Sequence, residues 1–124
     1  MSVRTEVLET YERYLAAFAA NDMQKINEFF VWPCAFIGEG KTVMVDKFPI
    51  NLAEMRKAKN WAATKANEID VVAASATKAH VVLRNCVRVR PDGSAIEEVT
   101  SFYAFTKTPS GWKVFAVSAI EFPR

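Results

Sequence analysis

The chain is poor in the residues that metal sites, disulfide frameworks and highly charged partners require. Of its 124 residues, one is histidine, two are cysteine and four are glycine, and 16 basic side chains nearly balance 14 acidic ones. One histidine excludes a histidine-based metal cluster, and the small net charge gives no strong field for nucleic acid or an anionic membrane. No apolar run approaches the ~20 residues that cross a bilayer, and the N-terminus lacks the apolar core of a signal peptide. The sequence therefore predicts a cytoplasmic protein without nucleic-acid or membrane partners.

The two cysteines, Cys34 and Cys86, lie far apart and lack the paired spacing of a zinc or thioredoxin-like site. A cytosol keeps thiols reduced, so both are predicted to be buried free thiols, and the reactivity of Cys34 stays open. The sequence also contains neither a phosphate-binding glycine loop nor a nucleophile elbow. No metal and no cofactor are expected.

The rest of the composition is that of an ordinary soluble domain. Hydrophobic residues make up 51% of the chain and charged residues 24%, which excludes collagen-like, disordered and low-complexity classes. A chain of this length is too short to divide comfortably, because a domain typically takes on the order of 100 to 150 residues. We expect a single domain over residues 1–124.

The N-terminal half has the patterns of three helices. Apolar side chains recur at helical spacing at Val7, Tyr11, Tyr14 and Phe18. Asn21 with Gln24 three residues later has the form of a capping box, which predicts that a second, short helix opens there and runs through Ile26 and Phe30. Pro49 suits a first helical turn, so a third helix is predicted from there to about Trp61.

The patterns of strands occur in one hairpin between the second and third helices and in most of the C-terminal half. A first hairpin is predicted between Ala35–Ile37 and Thr42–Val45, bracketed by glycines. Four longer strands with period-two alternation follow at roughly Ile69–Ala76, Ala79–Arg90, Ala95–Lys107 and Trp112–Phe122. Helices first and an antiparallel meander last predict an α+β fold, in which three helices cover the concave face of a curved, mixed but mainly antiparallel sheet.

This pattern resembles the NTF2-like superfamily, the cone-shaped α+β fold of steroid isomerases and SnoaL-type polyketide cyclases. The residues that carry the resemblance are Tyr11–Asp22, Phe29–Phe30, Phe102–Phe105 and Gly111–Val114. They are signals of shape rather than of catalysis. The resemblance implies a cavity between the helices and the sheet, and often a homodimer.

The steroid-isomerase branch can be tested residue by residue. Its members use a tyrosine on the first helix and a protonated carboxylic acid as an oxyanion hole, with a carboxylate as base. Tyr14 stands where the tyrosine is expected, but the base falls near Gly38 and the second acid near Ser101. Because two of the three roles lack a carboxyl group, the resemblance does not extend to that reaction.

Five residues are the best candidates for contacts to a ligand: Tyr14, Trp32, Asn85, Ser101 and Tyr103. A tyrosine hydroxyl or a buried amide needs hydrogen-bond partners, which a ligand oxygen could supply. Each candidate also has an ordinary structural interpretation, as a core side chain bonded within the protein. Other aromatic side chains, among them Phe18 and Trp61, are either cavity lining or plain core.

For the strand around residues 80–90, two arguments predict opposite directions for the same side chains. Burying unpaired arginines is costly, so the opposite face is predicted to look inward: Val81, Leu83, Asn85, Val87 and Val89. A two-residue turn at Asp92 and Gly93 would instead place Arg88 opposite Glu97, with the arginines on the same side as Ser101. Either a bulge shifts the register and leaves the arginines in solvent, which we favour, or they converge in a polar pocket.

The sequence leaves two functions open, which a cavity in the first case and an exposed Phe102 in the second would distinguish. In the first, the chain is a small-molecule-binding pocket protein, either a simple binder or a cofactor-free isomerase-like or cyclase-like enzyme acting on an apolar, oxygenated molecule. In the second, it is a non-catalytic homodimeric association module that uses the outer face of the sheet. Phe102 is predicted to lie on that face beside Arg84, and aromatic residues with arginine are typical of interface centres.

Overall fold

The computed structural model describes residues 2–124, which form three helices and seven strands. The helices are α1 (Val3–Ala19), α2 (Met23–Glu28) and α3 (Leu52–Lys59). The strands are β1 (Phe30–Ile37), β2 (Thr42–Val45), β3 (Ala63–Thr64), β4 (Glu68–Ala74), β5 (Lys78–Val89), β6 (Ala95–Thr108) and β7 (Gly111–Pro123). The predicted α+β class, the first hairpin and the four long strands are confirmed. The two-residue strand β3 was not predicted.

Each helix begins at a polar side chain that caps its first turn. Ser2, Asp22 and Asn51 each accept a hydrogen bond from the backbone N–H three residues later, at 3.2, 3.1 and 3.2 Å. The predicted cap at Asn21 is wrong by one residue, because Asn21 has a left-handed φ of 55° whereas capping residues are typically extended. The third helix begins at Leu52, three residues after the start predicted at Pro49.

The sheet has the strand order β2-β1-β7-β6-β5-β3, and β4 also pairs with β5. Only β1 and β7 run parallel, so the sheet is mixed and mainly antiparallel, as predicted. The first helix packs across one face of it: the ring of Tyr11 lies 4.9 Å from that of Tyr103 and 6.2 Å from that of Phe105, both on β6. We call this helix-covered face the inner face.

A bulge in β5 decides which side chains reach the inner face. Three steps along β5, from Leu83 to Cys86, correspond to two steps along β6, so β5 contains one extra residue there. Asn85 lies in the bulge with a φ of 54° and is exposed. The extra residue reverses the alternation. Leu83 is inward before it, and Cys86 and Arg88 are inward after it.

The predicted bulge is therefore present, but its predicted consequence is only half right. Arg84 stays outside, with a 45% exposed side chain that pairs with Asp70 at 3.7 Å. Arg88, expected in solvent, has a side chain only 12% exposed and lies opposite Glu97. The predicted inward direction of Asn85 is wrong, because the reversal of the strand falls at that residue.

Both cysteines are buried free thiols, as predicted. Burial raises the pKa of Cys34 to about 11 and also raises that of Cys86. A thiol with so high a pKa is protonated near neutral pH and is a weak nucleophile. Among the helices of residues 2–124, none combines the length and apolar character that a membrane span requires.

Candidate functional site

A cavity of about 430 Å³ lies between α1, α3 and the inner faces of β5 and β6. Its third wall is the segment from Trp61 to Asn67, which contains β3. That segment is held against the sheet because β3 pairs with Arg88 and Val89 at the end of β5. Most of the lining is apolar, and the volume is within the range of small-molecule sites, roughly 300 to 1,000 Å³.

Three buried hydroxyl-bearing side chains, Tyr14, Ser101 and Tyr103, line the cavity, and we call them the hydroxyl cluster. Their exposed fractions are 2%, 5% and 7%. The rings of Tyr14 and Tyr103 have centroids 5.8 Å apart at an angle of 65°. Ser101 and Tyr103 share the inner face because they are two residues apart on one strand. The cluster thus joins the first helix to β6.

The phenols of the hydroxyl cluster keep their protons near neutral pH. Burial raises the pKa of Tyr14 well above its ordinary value of 10.0, and the adjacent Tyr103 raises it further. Burial also raises the pKa of Tyr103. Neutral phenols donate hydrogen bonds but do not abstract protons, so this part of the cavity can polarise a ligand oxygen.

Tyr11 is a natural comparison for Tyr14. It lies one turn earlier on α1, is fully buried, and its ring stacks on that of Tyr14 at 5.8 Å. It is not among the residues that line the cavity. Its hydroxyl oxygen has no hydrogen-bond partner within residues 2–124. The two phenols therefore differ in that only Tyr14 lines the cavity, although the rings of both lie against that of Tyr103.

Aromatic rings lead from the hydroxyl cluster to the more exposed part of the cavity. The ring of Phe18 lies 6.0 Å from that of Tyr14 and 5.9 Å from that of Trp61. These are ordinary distances for interacting aromatic pairs, so the three rings form a continuous wall. Such a wall suits a flat, apolar ligand.

Two arginines lie on Trp61, and we call Arg56, Trp61 and Arg88 the arginine rim. The guanidinium carbons lie 4.0 Å and 4.5 Å from the centre of the Trp61 ring, within the range of cation–π contacts. Arg56 is held in place by donating from Nε to Asn21 Oδ1 at 2.7 Å and from Nη2 to the carbonyl oxygen of Phe18 at 3.1 Å. Burial and the nearby Arg88 lower the pKa of Arg56.

Arg88 also belongs to a network of four charged side chains beside the cavity, which we call the charge network: Lys59, Arg88, Glu97 and Glu121. Arg88 Nη1 donates to Glu97 Oε2 at 2.6 Å and to Glu121 Oε2 at 2.9 Å. Lys59 Nζ donates to the same two oxygens, at 2.7 Å each. Burial alone would raise the pKa of Glu97, but the hydrogen bonds from Lys59 and Arg88 outweigh it and lower that pKa below 4.5.

The lining offers no strong base. Within residues 2–124, the side chains that line the cavity include neither Asp, Glu nor His. No group of three His, Cys, Asp or Glu residues in that part of the chain could hold a metal ion. Cys86 lines the cavity, but burial keeps its thiol protonated. Binding and polarising an oxygen atom is therefore the chemistry that this lining supports.

The five predicted ligand contacts divide into two groups. Tyr14, Ser101 and Tyr103 are brought together at the cavity. Trp32 and Asn85 are not. Trp32 stacks on Phe30 with ring centroids 4.9 Å apart and donates from Nε1 to a backbone oxygen, whereas Asn85 is exposed in the bulge.

Of the arginine rim, the sequence interpretation named Trp61 as possible cavity lining and gave Arg88 a place at a pocket only in the alternative that it did not favour. Arg88 was expected in solvent, and Arg56 was not singled out within its helix. One signal was present: the predicted pairing of Arg88 with Glu97 offered a partner that lowers the cost of burying the arginine. The contribution of Arg56 could not be read from the sequence, because it depends on Asn21 and Phe18, 35 and 38 residues away.

Comparisons with known proteins bear on the fold. A family model described as NTF2-like protein (DUF6841) matches residues 5–121. The chain is also similar to a conserved protein from Planctomyces limnophilus, with 14% identity, coverage of 97% of this chain and 96% of the other, and a TM-score of 0.68. The comparison with curated proteins found no match.

Two further solved structures are similar over almost the whole chain. A ketosteroid isomerase-like protein from Erwinia carotovora atroseptica has 18% identity, covers 98% of this chain and 97% of its own, and gives a TM-score of 0.66. An NTF2-like protein from Cytophaga hutchinsonii has 19% identity, with coverage of 96% and 98% and a TM-score of 0.65. At these identities the likeness concerns the fold alone.

Proposed function

The chain belongs to the NTF2-like protein family DUF6841, and from that premise we propose that it binds a small, mainly apolar molecule whose oxygen atom accepts hydrogen bonds from the hydroxyl cluster. The observation that carries the proposal is the placement of Tyr14, Ser101 and Tyr103, almost fully buried, in the lining of a 430 Å³ cavity. Buried hydroxyls are normally hydrogen-bonded, and a ligand oxygen is a fitting acceptor.

The charge state of the cluster favours a carbonyl or ether oxygen over a cationic group. Both phenols stay neutral because their pKa values are raised, so they present protons to the cavity. The apolar surroundings strengthen a hydrogen bond formed there. An isomerase-like or cyclase-like reaction in this cavity would depend on polarisation by these phenols, since the lining supplies no carboxylate or imidazole.

The test is a pair of probes that differ in one oxygen, 2-acetylnaphthalene and 2-ethylnaphthalene, titrated by calorimetry. The protein should bind the ketone on the order of tenfold more tightly, the worth of one hydrogen bond in a dry site. Tyr14→Phe should reduce that preference, and Tyr14→Phe with Tyr103→Phe should remove it. Affinity for the hydrocarbon should change less than about twofold.

Tyr11→Phe is the matched control, because it removes an equally buried phenol outside the cavity lining. It should leave the preference for the ketone unchanged. Equal binding of ketone and hydrocarbon by the unaltered protein, or an equal loss in the Tyr11 and Tyr14 variants, would contradict the proposal.

A second function, self-association through the outer face of the sheet, is favoured by apolar side chains on β1, β2 and β7. Ile37, Met44, Ile120 and Phe122 are between 38% and 59% exposed. Phe102, predicted there, lies on the same face but is half-buried against His80. Exposed apolar patches of this kind are typical of interfaces. We propose a second copy of this chain as the partner.

Sedimentation at micromolar concentration tests this second proposal. A dimer is expected, and Ile120→Lys should shift it to monomer, because the substitution places a charge within the patch. Val72→Lys is the control, since Val72 is 45% exposed but lies on β4, near the edge of the sheet opposite to β1 and β2. A monomer at all concentrations, or equal effects of Ile120→Lys and Val72→Lys, would overturn the proposal of self-association.

A further inference from the structure

The outer end of the cavity carries more positive than negative charge. In the charge network, Lys59 and Arg88 share the carboxylates of Glu97 and Glu121, so two cations meet two anions. Arg56, beside them on Trp61, makes no ion pair with any residue from 2 to 124. Its two hydrogen bonds go to neutral oxygens. One positive charge is therefore unbalanced at the arginine rim.

Donor groups at the rim are also left over. Arg88 directs only Nη1 to its two carboxylates, and its buried Nε has no partner within residues 2–124. Arg56 uses Nε and Nη2, which leaves Nη1. Both guanidinium carbons lie within 4.5 Å of the centre of the Trp61 ring, and the charge of Arg88 lowers the pKa of Arg56, so the two cations repel each other. An anion at this point would lower the free energy of the site.

We propose that the ligand of the cavity is an aromatic monocarboxylate, bound with its carboxylate at the arginine rim and its oxygen-bearing end at the hydroxyl cluster. The inference rests on the proposed function and extends it to a substrate class. A single negative charge matches the one unbalanced cation. A carboxylate oxygen can also accept a charge-assisted hydrogen bond from Nη1 of Arg56, whose Nε and Nη2 already have partners.

The aromatic frame follows from the wall between the two polar ends. The rings of Tyr14, Phe18 and Trp61 are in successive contact, at 6.0 and 5.9 Å, and lead from the hydroxyl cluster to the rim. A flat ring system laid along them would bury apolar surface while its two ends reach opposite polar groups.

The experiment compares 6-acetyl-2-naphthoate with 6-acetyl-2-naphthamide, which share the ketone and the ring system and differ in charge. Calorimetry should show the acid binding on the order of tenfold more tightly than the amide at low salt, with the difference shrinking as salt is added, because the rim is partly exposed. Arg56→Gln should remove the preference and change the affinity for the amide less than about twofold. Arg56→Lys, which keeps the charge, should retain part of it.

Arg84→Gln is the matched control, because Arg84 is 45% exposed and lies outside the cavity lining. It should leave the preference for the acid intact. Equal affinity for acid and amide, or a preference that survives Arg56→Gln, would overturn this inference while leaving the proposed function standing if 2-acetylnaphthalene still binds. If none of 6-acetyl-2-naphthoate, 6-acetyl-2-naphthamide and 2-acetylnaphthalene binds, the inference and the proposed function both fail.

Discussion

The hydroxyl cluster and the charge network lie at the same cavity, but their buried polar groups differ in charge and in how they are paired. In the charge network every carboxylate is matched: Glu97, 8% exposed, accepts from both Lys59 and Arg88. In the hydroxyl cluster the groups are neutral, and burial holds their protons in place. The carboxylates of the charge network are thus paired within the protein, whereas the side chains of the hydroxyl cluster line the cavity.

This difference separates stability from binding. Removing one member of a buried ion pair leaves an uncompensated charge, which costs far more than the pair contributes relative to apolar packing. Removing a neutral hydroxyl that faces a cavity costs little in the unliganded protein. Substitutions in the charge network should therefore mainly lower the free energy of unfolding. Substitutions in the hydroxyl cluster should mainly lower the affinity for a ligand.

The largest effect is expected from Glu97→Gln. The substitution keeps the shape of the side chain but removes the buried carboxylate, so Arg88 and Lys59 must share the single, more exposed carboxylate of Glu121. The free energy of unfolding should therefore fall by about 3 kcal/mol. Chemical denaturation measures it. Glu98→Gln, the next residue, removes a partly exposed pair with Arg124 at 3.2 Å and should cost less than about 1 kcal/mol. Equal losses in the two variants would show that the charge network is not a buried structural unit.

A smaller effect is expected from pH. The pKa of Glu97 is lowered in the folded state, so its contribution is fully present above its ordinary value of 4.5 and is lost as the pH falls through the lower folded value. The difference in unfolding free energy between the unaltered protein and Glu97→Gln should therefore narrow below pH 4.5. Denaturation curves from pH 7 to pH 3 measure this, and a difference independent of pH would contradict it.

The smallest effect is expected from Tyr11→Phe, and its sign is the informative part. The Tyr11 hydroxyl is buried without a partner, so its removal should raise the free energy of unfolding by up to about 1 kcal/mol. Thermal and chemical denaturation measure the change. A clear loss of stability would mean that this hydroxyl is hydrogen-bonded in solution, and the contrast with Tyr14 would then weaken.

Local patterns predicted the elements well, because periodicity and turn chemistry act within a few residues. The inner set of β6, including Ser101 and Tyr103, is confirmed by burial. The β5 faces could not be settled, because one inserted residue at Asn85 reverses the side chains from Cys86 to Arg88 and alternation alone does not locate a bulge. That single residue brings Arg88 to the cavity.

The most direct test of the central claim is a crystal structure of the protein with 2-acetylnaphthalene bound. The account predicts the naphthalene rings along Phe18 in the cavity and the ketone oxygen within hydrogen-bond distance, about 3 Å, of the Tyr14 or Tyr103 hydroxyl. A probe seated on the outer face of the sheet, or a ketone oxygen pointing away from both phenols, would contradict it.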